Sequence, residues 1–327
     1  MPRTPACATV VLALTLLLPG CGGGNSGTTQ SPSPVVTPPP RGLAAGAAVS
    51  VVSGADSGPV AGARVILAGR EYSTDGAGQV VLADAVDYGS LVDVVAPGFL
   101  ARQTSLRKGG SSRFVLWPQT TSSGVDEAFT THIVYTWGSR EPPEPGSTPL
   151  DRLLDGASEA FVWMSDEIQA DGGASQRHEE AVAEINSWLG GRIRYSLAVS
   201  RPTGVLFFEA RVDTEDTFCA EGIRAYFDGR RNSRGEITGG EIVYCWLEVA
   251  RASTVIHELG HSVGLQHSNS TNELMGRYYS RHRREQFSER EGLVMNLLFE
   301  RPAGNRFPDT DRGAAAAAAG PFRILCP

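Results

Sequence analysis

The chain has 327 residues, with 29 Lys+Arg against 36 Asp+Glu and a formal net charge of -7. That length admits two modest domains, and the acidic balance speaks against nucleic acid as a partner, which requires basic surfaces. An apolar content of 41% suffices for packed cores, while 38 glycines and 20 prolines favour turns, β-structure and linkers over long helices.

Residues 1–20 read as a targeting segment. Arg3 supplies a positive start, and the apolar run from Ala8 to Leu18 is too short to span a bilayer comfortably. The run closes on Leu18-Pro19-Gly20-Cys21, which resembles a bacterial lipobox with an uncommon proline at its middle position. The resemblance implies lipidation at Cys21 and a place in the cell envelope, and Gly22 after the cysteine resembles an outer-membrane destination. An ordinary secretory signal cut nearby is the alternative, and either route leads out of the cytoplasm. Residues 21–45 follow as a Pro/Gly/Ser tether with almost nothing to bury. No later apolar segment is long enough to span, so membrane contact is expected only through the lipid.

Residues 46–117 carry short Val- and Leu-rich runs (AAVSVVSG, ARVILAG, GQVVLAD, LVDVVAPG, SRFVLW) separated by turn signals at Gly58-Pro59, Asp75-Gly76 and Pro97-Gly98. The spacing predicts a small antiparallel sandwich. The stretches Gly58 to Val65, Thr74-Asp75-Gly76 and Ala96 to Phe99 resemble the carboxypeptidase regulatory-like domain, a β-sandwich. No catalytic constellation is visible here. A spacer or docking module is the plain reading, a glycan- or protein-binding role the sharper one, and no partner is named by the residues.

After a polar linker, PQTTSSG at 118–124, a second domain is expected over 125–311. THIVYTW (131–137) alternates like a strand, and SREPPEPGSTP is a proline-rich loop. Leu153, Leu154, Ala157, Phe161 and Met164 have helical spacing across 150–170. Ala181, Val182, Ile185, Trp188 and Leu189 do so across 176–189. VLFFEARVDT, GIRAYFDG and GEIVYCWL read as strands, Ala252–Val263 as a helix, and Ser288 as the start of another, with Glu289 and Glu291 in its first turn. Residues 312–327, with six alanines, are expected to be a loose tail. Cys7 and Cys21 lie in the leader. Of the rest, Cys219 and Cys245 are the expected disulfide, with Cys326 free in the tail. No C-x-x-C occurs, so a cysteine-based zinc site is not expected.

The chemistry concentrates in HELGHSVGLQH, residues 257–267. Residues four apart share one helix face, so His257 and His261 can address one ion, and Glu258 stands about 100° around the helix beside it. A continuing helix would carry His267 about 9 Å beyond His261 along the axis. The chain must therefore turn back, and Gly264 supplies the freedom at φ that a sharp turn needs. Three neutral nitrogen donors with an open fourth position describe a catalytic rather than a structural zinc site. Such an ion makes water nucleophilic, and Glu258 is placed to take the proton and pass it to a leaving amine.

At these residues, and over about Thr131 to Asp309, the sequence resembles the metzincin metallopeptidases. The resemblance implies that His257, His261 and His267 ligate one Zn2+, that Glu258 is the catalytic base, and that Met275 is the Met-turn beneath the histidines. Ser268 after the third histidine, and the strands GIRAYFDG and GGEIVYCWL, resemble the matrixin-like branch, which implies a substrate edge at Gly222 to Phe227. Three features depart from the pattern. Arg277 replaces a tyrosine found in some relatives, leaving Tyr278 and Tyr279 as pocket-wall or oxyanion candidates. No thiol-bearing latency segment is visible upstream. Asp213, Glu215 and Asp216 lack the spacing of a calcium loop, so calcium stays unassigned. The basic stretch 277–290 reads as a solvated loop or, more sharply, as a primed-side wall favouring acidic substrates. His132, His178 and His282 are given no role, the last two being placed on polar faces.

The expectation is thus an α+β metzincin-type domain after a small all-β sandwich. It is read as a zinc endopeptidase acting on proteins or peptides. The alternative is a non-catalytic binding or adhesion lipoprotein built on the same domain.

Overall fold

A computed structural model of the chain describes residues 41–108, 112–135, 150–277, 284–311 and 319–327. The targeting segment, Cys21 and the tether through residue 40 lie outside them, as do Tyr278, Tyr279, His282 and residues 312–318. Residues 40–327 form one compact unit.

Its first part is all β. The strands are β1 (Gly42–Leu43), β2 (Ala48–Ser53), β3 (Arg64–Leu67), β4 (Arg70–Ser73), β5 (Gln79–Val81), β6 (Val86–Asp87), β7 (Leu91–Val95), β8 (Arg102–Ser105) and β9 (Arg113–Leu116). They form a pair β1-β6, a three-stranded sheet β5-β2-β9 and a four-stranded sheet β4-β3-β7-β8. Alternation explains the layering: Val49 and Val51, Val65 and Leu67, Val92 and Val94 point into one shared cluster while their neighbours face outward. One pair departs from the antiparallel expectation. β2 and β9 run parallel, because β9 arrives from the opposite sheet instead of through a hairpin.

The second part begins with a correction. Residues 127–135 are helix α1 (Glu127–Tyr135), not a strand. Asp126 accepts from the Phe129 amide at 2.7 Å, and the Thr131 hydroxyl donates to the Glu127 carbonyl, both helical contacts. Six of the nine residues are buried, from Phe129 to Tyr135, so alternation carries no information there. A second correction concerns 150–170, read as one helix. It is β10 (Arg152–Leu153), β11 (Glu159–Met164) and the short α2 (Asp166–Ala170). Gly156, at φ +78°, breaks the segment. Ala160, Val162 and Met164 then face the core at strand period, and of the residues that fitted a helix only Met164 is among them.

Helix α3 (Gly172–Leu189) is capped by Asp171, which accepts from the Ala174 amide, and it ends at Gly190 in the left-handed region. Then come β12 (Arg194–Ala198), β13 (Phe207–Val212), α4 (Thr217–Ala220), β14 (Ala225–Arg231), β15 (Glu236–Tyr244), α5 (Ala252–Val263), α6 (Glu289–Leu298) and β16 (Gly320–Cys326). The sheet order is β12-β11-β13-β15-β14-β16, with β10 beside β15. Strands β11, β12, β13 and β15 pair in parallel, while β14 is antiparallel to both β15 and β16. Helices α3 and α5 pack against each other, and the core between helices and sheet includes Phe208, Phe227, Ile242, Leu259 and Val263. Cys219 and Cys245 are joined in a disulfide that ties α4 to the end of β15.

Two expectations about the sheet change with β16. Residues 320–326 are a strand and not a loose tail, and the expected free edge at 222–227 is covered from Ala225 onward. The cause is long-range pairing, which the composition of residues 312–327 does not reveal.

Candidate metal centre

Helix α5 carries the first three functional side chains. It is buried on nearly every side, from Thr254 to Val263, and the buried Tyr195 hydroxyl lies 2.8 Å from the Ser262 hydroxyl, which ties the helix to β12. The helix stops at Gly264, where φ is +120°. A Cβ there would sit 2.3 Å from the Asp151 carbonyl oxygen, so both conformation and space require glycine. The chain then turns back. The Gln266 amide donates to the Ile133 carbonyl at 2.7 Å, which ties the return to α1, and the Ser268 amide donates to the Met275 carbonyl at 2.8 Å.

This turn brings the three imidazoles together. Ring centroids of His257, His261 and His267 lie 4.7, 5.3 and 4.9 Å apart pairwise. The Leu274 carbonyl accepts from His257 Nδ1 and the Leu265 carbonyl from His261 Nδ1, each at 2.7 Å. A carbonyl only accepts, so both Nδ1 atoms carry the proton and both Nε2 atoms present lone pairs. Those Nε2 atoms face each other at 3.1 Å in a fully buried setting. A shared cation is what makes two converging lone pairs favourable. Carbonyl partners behind the ligands are also the usual way such imidazoles are oriented.

The fourth donor is Cys326. Its Sγ lies 3.4 Å from His257 Nε2 and 3.5 Å from Nε2 of both His261 and His267. All four donor atoms fall within 4.8 Å of one another, and all four residues are buried. Zinc bonds of about 2.0 Å to nitrogen and about 2.3 Å to sulfur put the nitrogen–sulfur edges of a tetrahedron at about 3.5 Å. The donor set and its spacing therefore fit one Zn2+. Two expectations are corrected here: Cys326 lies in a paired strand and not in a loose tail, and a cysteine does stand among the zinc-site histidines. Cys326 forms no disulfide, and its sulfur stands beside the three histidine nitrogens.

Around this centre, Glu258 follows the first histidine and is fully buried. Met275 is also fully buried, and its sulfur would lie 2.6 Å from a Cβ placed on Gly260, so it packs directly against the α5 backbone under the ligands. Its amide donates at 2.6 Å to Glu291, whose other oxygen accepts from the Ser288 amide in the capping box of α6. Glu291 thus joins the start of α6 to the Met275 turn, a role the sequence reading missed while recognising the cap itself.

His178 is a further correction. It lies inside the core and not on a polar face, because α3 turns it toward β15. Its Nδ1 donates to the Ala174 carbonyl and its Nε2 accepts from the Tyr244 hydroxyl at 3.2 Å. Burial pushes its pKa down to about 4, against a small upward pull from the Ala174 carbonyl. Burial, and then the Glu258 charge, lift the Tyr244 phenol well above its ordinary value, which keeps it a donor. His132 belongs to α1 and is depressed by partial burial.

The acidic cluster is accounted for locally. Asp213 pairs with Arg211 at 2.5 Å, and Asp216 caps α4 and accepts from the Tyr226 hydroxyl at 2.7 Å. In the basic stretch, Arg290 lies 4.0 Å over the Phe129 ring and pairs with Glu273, so it serves packing between α1 and α6.

Residues 212–292, which hold β14, β15, α5 and the three histidines, match the family model described as matrixin. This segment and its donor set support a reading as a zinc metallopeptidase. No curated protein sequence matches the chain. Among solved structures, high choriolytic enzyme 1, a hatching enzyme zinc-protease from the medaka fish Oryzias latipes, is similar at 13% identity and a TM-score of 0.29. The likeness covers 46% of this chain and 93% of that one, and it is too weak to build on.

Proposed function

We propose that the protein is a zinc-dependent endopeptidase. The observation that carries this reading is the convergence of His257, His261 and His267 on one point, with Glu258 in the next helical position. When bound, zinc supplies Lewis acidity, which acidifies water and polarises an amide carbonyl. The rest falls to the chain. The Leu274 and Leu265 carbonyls hold two imidazoles in the tautomer that leaves Nε2 free to bind. Met275 fixes the floor on which the rings stand. Glu258 accepts the proton of the attacking water and delivers it to the departing amine nitrogen. An extended peptide would be positioned by backbone pairing along β14 once β16 has left that edge.

Glu258→Ala in the full chain is expected to lower cleavage of a mixed peptide library by at least about 10²-fold, in line with loss of a general base. Zinc content, read by elemental analysis, should stay at one ion. Equal cleavage by both proteins would overturn the assignment of Glu258. The competing reading, a binding or adhesion protein with a closed metal site, draws on the fourth donor. A site with four protein ligands is the structural type.

Placement in the cell envelope through a lipid on Cys21 belongs to the same proposal and is supported by the leader sequence. Cys21→Ala should move the protein from the membrane to the soluble fraction of cells expressing it. An unchanged distribution would remove the anchor.

A further inference from the structure

We propose that β16 is an internal inhibitor, with Cys326 as the fourth zinc ligand and the strand lying where an extended substrate would pair. The inference rests on the zinc peptidase reading for its inhibitory half, while its coordination half stands on the donor geometry alone.

Three observations carry it. First, the Sγ–Nε2 distances of 3.4, 3.5 and 3.5 Å match the edges of a zinc tetrahedron, as derived above. A sulfur at that vertex takes the position that water must hold for hydrolysis. Second, the pairing register delivers it there. Seven residues of β16 pair antiparallel with β14, from Gly320 opposite Arg231 to Cys326 opposite Ala225. The Arg224 amide donates to the Cys326 carbonyl at 3.2 Å, which holds the cysteine at the end of the ladder. This is peptide recognition by strand addition, with the chain as its own ligand.

Third, the strand's side chains fit their places. Phe322 lies over Gly229, where a Cβ would be 2.4 Å from its ring, and packs edge-on against Phe227 with centroids 5.8 Å apart. Ile324 is buried in the main core. On the outer face Arg323 pairs with Asp228, and its guanidinium stands 4.8 Å from the Phe218 ring and 4.9 Å from that of Tyr226. A glycine notch, an aromatic seat and an ion pair along one seven-residue strand make β14 a docking edge with matched positions.

The test uses the full chain and two readouts. Zinc K-edge absorption is recorded on the zinc-loaded parent and on Cys326→Ala, and cleavage of a mixed peptide library is measured on both. The expected result is one sulfur and three nitrogens around zinc in the parent, with the sulfur shell lost in the variant. Cleavage by Cys326→Ala should rise at least about tenfold, because the competent state is then no longer a minor population. Arg323→Glu provides a second route. It leaves the thiol in place but sets two carboxylates against each other at Asp228, and it should also raise cleavage. A parent with zinc and no sulfur shell overturns the coordination. A sulfur shell with unchanged, Glu258-dependent cleavage in both variants overturns the inhibition. A sulfur shell with no cleavage by any variant overturns both the inhibition and the peptidase reading, leaving a closed structural zinc.

Discussion

At the scale of single residues, the two histidine environments in this domain differ by what faces them. His257 and His261 have carbonyls behind them and one another in front, so their Nε2 atoms converge as a metal ion would require. His178 has a carbonyl on one side and a phenol on the other, so it is fully satisfied as a neutral ring. Its folded pKa of about 4 lies below the ordinary 6.5. The stability it contributes is therefore fully present above pH 6.5 and is lost as pH falls through about 4. The shift corresponds to about 3 kcal/mol at most. His178→Gln should flatten the difference in urea-unfolding free energy between pH 7 and pH 4.5 relative to the parent. A parallel pair of curves would show that burial does not lower the pKa of His178 on folding. Of the two histidines placed on polar faces from sequence, His178 shows why: HEEAVAEI reads as a charged helix surface, and only the contact of α3 with Tyr244 reveals the inward turn.

At the scale of elements, α6 is the support of the site. Ser288 and Glu291 form a reciprocal capping box, and Glu291 also receives the Met275 amide. Removing the serine hydroxyl takes away one cap. Ser288→Ala should cost about 1 kcal/mol. Glu291→Ala leaves the buried Met275 and Ser288 amides without their acceptor and should cost roughly 2–3 kcal/mol or more. Chemical denaturation of both variants checks the order, and similar losses would mean that the Met275 turn is held by packing alone. The S-x-x-E signal was legible because a capping box is local. The strand β11 was not, since its apolar residues fit a helix as well as a strand until β12 and β13 pair with it.

For the molecule as a whole, the all-β part is bonded to the second part and does not stand apart from it. The Gln103 amide donates to the Asp309 carbonyl, the Asp311 amide donates to the Gln103 carbonyl, and β8 is thereby extended by the 309–311 segment. Arg102 reaches Asp309 at 3.0 Å and Asp311 at 2.6 Å, while Arg301 holds Asp309 from the other side at 2.6 Å and stands 4.8 Å over the Trp117 ring. Burial by itself would raise the Asp311 carboxyl, but the Arg102 guanidinium holds it below the usual carboxylate range. Breaking such a network leaves buried charge behind. Arg102→Met should destabilise the protein by about 3–5 kcal/mol. Calorimetry should show one unfolding transition in the parent, and two well-separated transitions there would mean that the parts unfold independently.

The eleven residues 257–267 determined three of the four donors by themselves, because helix period and one glycine fix the histidines relative to each other. The same locality made α3, α5 and α6 legible, while the Cys219–Cys245 pairing was expected from the cysteines left outside the leader. The fourth donor was beyond that reach. Cys326 lies 59 residues from the nearest of the three histidines in the chain. Its one local signal was a third cysteine outside the leader, following the strand-like FRIL. Only pairing of β16 with β14 decides that this sulfur ends at the ion, since strand addition joins segments by backbone groups common to every residue.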